Sequence, residues 1–288
     1  MYQYLFLLAL TRPRSIVAVN GLGRIYSGVM TASDCRQSKD ASPMIKPIYA
    51  IGDIHGQTEQ LERALELITM DGGAEAKVVF VGDYVDRGPD SRGVIDRLMQ
   101  GQADGCNWIC LKGNHDRMFT WFMEDFPRED PHLPVELYYL QERIGGAQTL
   151  VSYGVDCGPS DRKSRVHEAA RAAVPAQHLA WIDSLPLSHQ AGEQFFVHAG
   201  IRPGVPLKEQ TEHDMLWIRQ GFLENTESHP HLIVHGHTAE KCPVHYGNRV
   251  DIDCGAGYGR TLVPVVFEGD KAWSLTSEGR KPLEPGQS

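Results

Sequence analysis

The sequence predicts an α/β fold, and three observations carry the prediction. Short apolar runs end abruptly in glycine, aspartate, asparagine or histidine. Stretches with helical apolar periodicity lie between several of these runs. Three successive run ends recur at steps of 30 and 31, from Asp53 to Asp83 to Asn114, each long enough for a strand–helix–strand unit.

The elements follow in order. Residues 1–44 stand apart: Arg12, Arg14, Arg24, Arg36 and Lys39 against Asp34 and Asp40 give five positive and two negative charges, in a chain whose total is −9. The apolar stretch Tyr4–Leu10 is short, and its arginines follow it rather than precede it, unlike a secretory signal. This segment reads as a poorly ordered extension, with Met30 and Met44 as alternative starts. The main domain is expected over 45–280, with a short tail at 281–288. Ile48–Ile51 leads into Gly52-Asp53, Val78–Val81 into Gly82-Asp83, and Trp108–Leu111 into Gly113-Asn114-His115. Phe195–Val197 leads into His198-Ala199-Gly200, and Leu232–Val234 into His235-Gly236-His237. Each run reads as a buried strand. Between them, Gln57–Met70 places Leu61, Leu65 and Ile68 on one helical face, Ser91–Met99 does the same with Val94, Ile95 and Leu98, and Pro175 opens a third helix. Residues 118–171 lack clear periodicity and read as an insert that shapes access to a site.

Composition excludes several classes. With 28 basic and 37 acidic residues, the chain lacks the basic footprint of a general nucleic-acid binder. No apolar run approaches the roughly 18 residues of a membrane span, so no membrane partner is expected and the location is expected to be cytoplasmic. The six cysteines form no second close pair to complete a zinc site and read as reduced thiols.

Ligands of open α/β sheets collect at the carboxyl ends of strands. Here that edge would gather Asp53, His55, Asp83, Asn114, His198 and His237. Taken singly, each is a common turn, cap or core residue. Together they form a mixed oxygen and nitrogen set without thiolate, which suits manganese, iron or zinc. Six ligands exceed the need of one open catalytic ion and fit two divalent ions sharing a carboxylate. His235 could share a face with His237 but reads as a core histidine, and Asp253 as a residue that orients a ligand or simply makes a turn.

Gly52-Asp53-Ile54-His55-Gly56, Gly82-Asp83-Tyr84-Val85-Asp86-Arg87-Gly88, Gly113-Asn114-His115-Asp116, His198-Ala199-Gly200 and Gly236-His237-Thr238 occur in this order. The chain thereby resembles the phosphoprotein phosphatase family of the calcineurin-like metallophosphoesterases, in its bacterial and phage form. The resemblance covers roughly Ile45 to Phe267 and implies a four-layer α/β/β/α sandwich with two central mixed sheets. It implies two divalent metal ions, manganese first and iron or zinc as alternatives. Asp53, His55 and Asp83 would hold the first ion, and Asp83, Asn114, His198 and His237 the second. His115, paired with Asp86, would be the catalytic histidine, and Arg87 and Arg219 would bind phosphate. Asp116 departs from the glutamate usual in the animal and plant enzymes.

Such a pair of ions cancels the charge of a phosphate dianion and acidifies the water that attacks it in line. Arginine forks suit the remaining phosphate oxygens. The leaving alkoxide needs a proton, which His115 would supply while Asp86 orients it. The expected activity is that of a serine/threonine protein phosphatase acting on phosphorylated protein. The alternative is a symmetrical bis(5'-nucleosyl)-tetraphosphatase acting on a small dinucleotide, for which Tyr138, Tyr139 and Trp121 of the insert are the base-stacking candidates. A metal-dead scaffold is the remote third reading. The sequence does not define an oligomeric state.

Overall fold

The computed structural model describes residues 46–286 apart from Pro159, together with the backbone of two strands nearer the N-terminus. Those strands, β1 (Ile16–Val19) and β2 (Ile25–Gly28), pair antiparallel within a unit that ends at Met44. The other features expected of residues 1–44 lie outside the described residues.

The second unit starts at Ile45 and holds two mixed sheets. The first runs β13-β12-β11-β3-β4-β5 across its width. Its members are β3 (Ile48–Ile51), β4 (Lys77–Phe80), β5 (Trp108–Cys110), β11 (Val265–Glu268), β12 (Lys271–Thr276) and β13 (Gly279–Pro282). The second runs β6-β7-β8-β10-β9, with β6 (Ser188–Ala191), β7 (Gln194–Val197), β8 (Leu232–His235), β9 (Val244–His245) and β10 (Arg249–Asp251). β3, β4 and β5 are mutually parallel, as are β7, β8 and β10. Parallel neighbours end at the same edge, so the loops after β3, β4 and β5 open on one edge of the first sheet and those after β7, β8 and β10 on one edge of the second.

Residue alternation on the strands fixes the layers. Ala50 and Val79, with Phe267 of the same sheet, face the second sheet, where they meet Phe196, Val234 and Val250. Tyr49, Ile51, Val78 and Phe80 face the opposite way, onto helices α1 (Thr58–Gly72) and α2 (Ser91–Ala103). Full burial of each such side chain contributes about 1.5–3 kcal/mol. α1 offers Leu61, Ala64, Leu65 and Ile68 at helical spacing. α2 begins where the Asp90 carboxylate accepts from the Gly93 amide at 2.9 Å. On the far side of the second sheet, Phe195, Val197 and Ile233 are covered by Met215, Ile218 and Phe222 from the short helix α7 (Glu212–Trp217) and the segment after it.

The insert shares a further core with α2 and with the helix that follows the insert. α3 (Asn114–Phe122), α4 (Gly146–Ser152), α5 (Lys163–Ala173) and α6 (Ala176–Ser184) gather Phe119, Phe122, Tyr139, Leu150, Val166 and Ile182. Two expected boundaries shift. Pro175 stands just before α6 rather than as its first residue, and β13 carries pairing to Pro282, into the segment read as a tail.

Candidate active site

Each loop of the common edge delivers one part of a buried polar cluster. The loop after β3 brings Asp53 and His55; the loop after β4 brings Asp83, Asp86 and Arg87; the start of α3 brings Asn114 and His115. The second sheet adds His198 after β7 and His237 after β8. Among the described residues, the non-glycine residues with left-handed backbone are His55, Asp83, Asp86, Arg87 and His237. Each such conformation costs of order 1–3 kcal/mol, which the surrounding fold must offset. The turns also leave no room for side chains elsewhere. A Cβ on Gly113 would lie 2.1 Å from Asp83 Oδ1, and one on Gly236 2.2 Å from Asp53 Oδ1.

The cluster is almost dry. Asp53, His55, Asp83, Asn114 and His198 are at most 2% exposed. Asp83 belongs to two groups of converging atoms, one with His55 and His115, the other with His198 and His237, each spanning no more than 4.8 Å. Asp53 Oδ2 lies 3.9 Å from His55 Nε2, and Asp83 Oδ2 lies 3.6 Å from the same nitrogen. His198 Nε2 sits 2.8 Å from Asn114 Oδ1. The Nδ1 atoms of His55 and His198 face the carbonyls of Val85 and Val81, at 2.7 and 2.9 Å. A carbonyl only accepts, so Nδ1 carries the proton and Nε2 presents its lone pair to the cluster.

Burial, then repulsion from Asp253 and Asp83, pushes the Asp53 carboxyl well up from its usual range; burial and Asp116 do the same to Asp83. Burial and nearby Arg87 push His55 well down. Burial and His198 push His237 well down. Buried acids that resist ionisation beside imidazoles that resist protonation mark a donor set short of positive charge. The His237 Nε2 atom is buried and has no hydrogen-bond partner among the described residues. Two divalent cations fit this set in charge, in ligand type and in the orphaned nitrogen.

Beside the cluster stands a second arrangement. His115 Nδ1 donates to Asp86 Oδ2 at 2.7 Å, and Asp86 Oδ1 accepts from the Tyr139 hydroxyl at 2.9 Å and from Thr149 Oγ1 at 2.7 Å. Burial pushes the Asp86 carboxyl up to about 7, against the pull of the Thr149 and Tyr139 donors. Arg87 extends one guanidinium over both imidazoles, donating to His55 Nε2 at 2.5 Å and His115 Nε2 at 2.9 Å. Arg219 donates to the His237 carbonyl at 3.2 Å. Asp116 accepts from the amides of Asp83, Tyr84 and Gly113, tying the β4 loop to the start of α3. The shorter carboxylate thus has a full set of donors here.

The structure brings all ten residues singled out for the site to this edge. It also places residues that the sequence reading set aside or missed. Both nitrogens of His235 are occupied away from the cluster, Nδ1 by the Gly236 carbonyl and Nε2 by Arg249. The Asp253 carboxylate accepts from the Gly255 amide and orients no histidine among the described residues. The three base-stacking candidates do not serve. The Tyr139 ring is buried with its hydroxyl on Asp86, Trp121 lies between Arg117 and Arg128, and Tyr138 is covered by Lys163. A cavity of about 580 Å³ opens over the cluster instead, with Met118, Leu133, Leu137, Ile144, Trp217 and Tyr258 on its walls. His132 and His213, also on the wall, stack with ring centres 3.5 Å apart. His213 Nδ1, Trp217 Nε1 and Thr238 Oγ1 are buried without partners among the described residues. The motifs carried little signal for this wall, because most of its residues come from the insert and α7, with Tyr258 from the turn Ala256–Tyr258.

The sequence profile of the calcineurin-like phosphoesterases matches residues 46–269. Among curated proteins, the symmetrical bis(5'-nucleosyl)-tetraphosphatase of Methylococcus capsulatus is 32% identical over 158 residues, covering 54% of this chain and 44% of that protein. The chain thus spans less than half the length of that relative. The asymmetrical bis(5'-nucleosyl)-tetraphosphatase PrpE of Anoxybacillus flavithermus is 26% identical over 247 residues, covering 75% of this chain and 89% of that protein. The crystal structure of a cold-active protein-tyrosine phosphatase from a Shewanella species shares the fold, with a TM-score of 0.55 at 15% identity over 95% of this chain and 91% of that one.

Proposed function

Because the chain belongs to the calcineurin-like phosphoesterase family, we propose that this metallophosphoesterase hydrolyses dinucleoside tetraphosphates, cleaving them symmetrically. The observation that carries the reading is the apolar and aromatic wall around the polar cluster. A phosphate group alone has no use for Met118, Leu133, Leu137 and Trp217; a nucleoside beside the phosphate does. The names of the relatives support the same substrate class, and symmetrical cleavage follows the relative of higher identity. The protein-phosphatase reading shares the cluster but leaves this wall without a role.

In this reading Asp53, His55 and Asp83 would hold one divalent ion, and Asp83, Asn114, His198 and His237 would hold the other. Bound there, the ions supply charge neutralisation and an acidified water; manganese, iron and zinc all suit the donors. Arg87 and Arg219 take phosphate oxygens as bidentate donors. Burial and Arg87 push His115 well down, so it rests neutral; when Arg87 moves to the phosphate, Nε2 is freed to take the proton released by the attacking water and pass it to the leaving group. Asp86, held by Tyr139 and Thr149, keeps the other side of the imidazole fixed and balances its charge when protonated. A leaving nucleotide phosphate is far less basic than an alkoxide, so the tetraphosphate reaction needs this proton less than a phosphoserine reaction does.

The test is side-by-side kinetics on diadenosine tetraphosphate and a phosphoserine peptide. Apolar base contacts are expected to raise kcat/KM for the dinucleotide by roughly 10–200-fold over the peptide. ADP as the sole nucleotide product marks symmetrical cleavage, and AMP with ATP marks the asymmetrical kind. A preference for the peptide overturns the proposal.

A further inference from the structure

Three arginines line the cavity: Arg87, Arg219 and Arg143. Most arginines near the insert are paired with carboxylates, such as Arg117 with Asp130, Arg128 with Glu124, Arg171 with Asp125 and Arg202 with Asp214. Among the described residues, none of the three cavity arginines has a carboxylate within 4.0 Å. One phosphoryl group is served by two guanidinium forks together with the ions of the cluster. The third has no established task.

Its placement is built rather than accidental. Ile144, next to Arg143, is buried at 6% exposure and anchors the loop. The Gly145 carbonyl accepts from the Arg87 amide at 3.2 Å. Gly145 has φ +94°, and a Cβ there would stand 2.3 Å from the Arg87 amide nitrogen. The insert loop is therefore pressed onto the backbone of one phosphate arginine while it carries another. Arg143 stands two backbone steps from that contact, so its Cα lies within about 7 Å of the Gly145 Cα. Its side chain lines the same cavity as Arg87 and Arg219, where a polyphosphate offers a second charged phosphoryl group and a phosphomonoester offers only one.

We infer that Arg143 binds the phosphate adjacent to the one attacked, and so selects polyphosphate chains over phosphomonoesters at this site. The inference deepens the dinucleoside tetraphosphate reading and rests on it for the natural substrate. It also makes the insert a specificity element, since Arg143 is the guanidinium of the three that the insert supplies.

The experiment uses nitrophenyl phosphate hydrolysis by the metal-loaded full chain, with free metal held constant. Orthophosphate and tripolyphosphate serve as competing inhibitors of wild type, Arg143→Ala and Arg143→Lys. Loss of one charge-assisted contact is expected to weaken tripolyphosphate inhibition about 10- to 150-fold more than orthophosphate inhibition. The lysine variant is expected to recover part of that difference, because it keeps the charge but not the fork. Arg143 is exposed, so a melting curve matching wild type is expected and separates a binding effect from misfolding. An unchanged ratio of the two inhibition constants in Arg143→Ala overturns the inference. The wild-type substrate comparison judges the wider reading separately. A preference for phosphopeptide together with a shifted inhibitor ratio would reject the natural substrate and keep the role of Arg143; the opposite pair would do the reverse.

Discussion

A Tyr139→Phe substitution removes one hydroxyl and little else. The ring packs against Phe122 with centres 4.9 Å apart and against Phe119 at 6.3 Å, and both contacts survive in phenylalanine. What is lost is the 2.9 Å donation to Asp86 Oδ1. A hydrogen bond to a charged acceptor is worth about 1.5–3 kcal/mol, and to a neutral one about 1 kcal/mol. Asp86 is held at about 7 in the folded protein, against about 3.9 when unfolded. A raised carboxyl favours folding fully below the unfolded value, and that advantage is lost as the pH rises toward the folded value. At pH 5 the folded carboxyl is therefore mostly neutral, and the hydroxyl is worth the smaller figure. At pH 8 it is ionised, and the hydroxyl is worth the larger. For a domain of this size 1 kcal/mol moves Tm by roughly 2–4 °C, so the deficit at pH 8 is expected near 4–8 °C and that at pH 5 near half of it. The variant is also expected to shift Asp86 upward, because the ionised form loses a donor. Paired thermal melts of metal-free wild type and variant at the two pH values measure this. A deficit that is equal at both, or greater at pH 5, would refute the placement of Tyr139 on an ionising Asp86.

Two further outcomes follow from the same cluster. Asp53 and Asp83 are pushed well up by burial and neighbouring carboxylates, so the folded metal-free chain keeps protons that the unfolded chain releases, and it loses stability as the pH rises. Divalent ions replace those protons, so the gain in Tm on adding manganese is expected to be larger at pH 8 than at pH 6; an equal or smaller gain at pH 8 counts against these carboxylates as ligands. His115→Asn is expected to keep the metal content while slowing an alkyl phosphate by roughly 10²–10⁴-fold, and nitrophenyl phosphate far less. Equal losses on both esters would end the general-acid role.

The strand-end chemistry was legible because it is local. An apolar run followed by Gly-Asp or Gly-Asn marks both the strand and its functional end, as in Ile51-Gly52-Asp53 and Val81-Gly82-Asp83. The distinction between His235 and His237 was harder. Alternation along a strand would put both on one face, but β8 ends at His235, and a left-handed backbone at His237 turns the chain back toward Asp53. The insert was least legible. Tyr139 looked like a surface for a base, yet only the packed cluster of α3, α4 and α6 shows that its hydroxyl is consumed by Asp86. His132, His213 and Trp217 carry no periodic signal, and tertiary packing alone makes them one wall. The strand β13 was missed because its sequence, Gly279-Arg280-Lys281-Pro282, is that of a solvent-facing edge.

Consider how far apart along the chain the partners in this cluster lie. The His237 amide meets the Asp53 carboxylate across 184 residues, and His198 meets Asn114 across 84. Closing loops of that length is rewarded only once both sheets exist and have come together. Catalytic competence is therefore the last property the chain acquires as it folds and the first it loses when the sheets part. Recovery of turnover during refolding would mark the meeting of the two sheets more sharply than the return of helical signal, because α1 and α2 can rest on the first sheet alone.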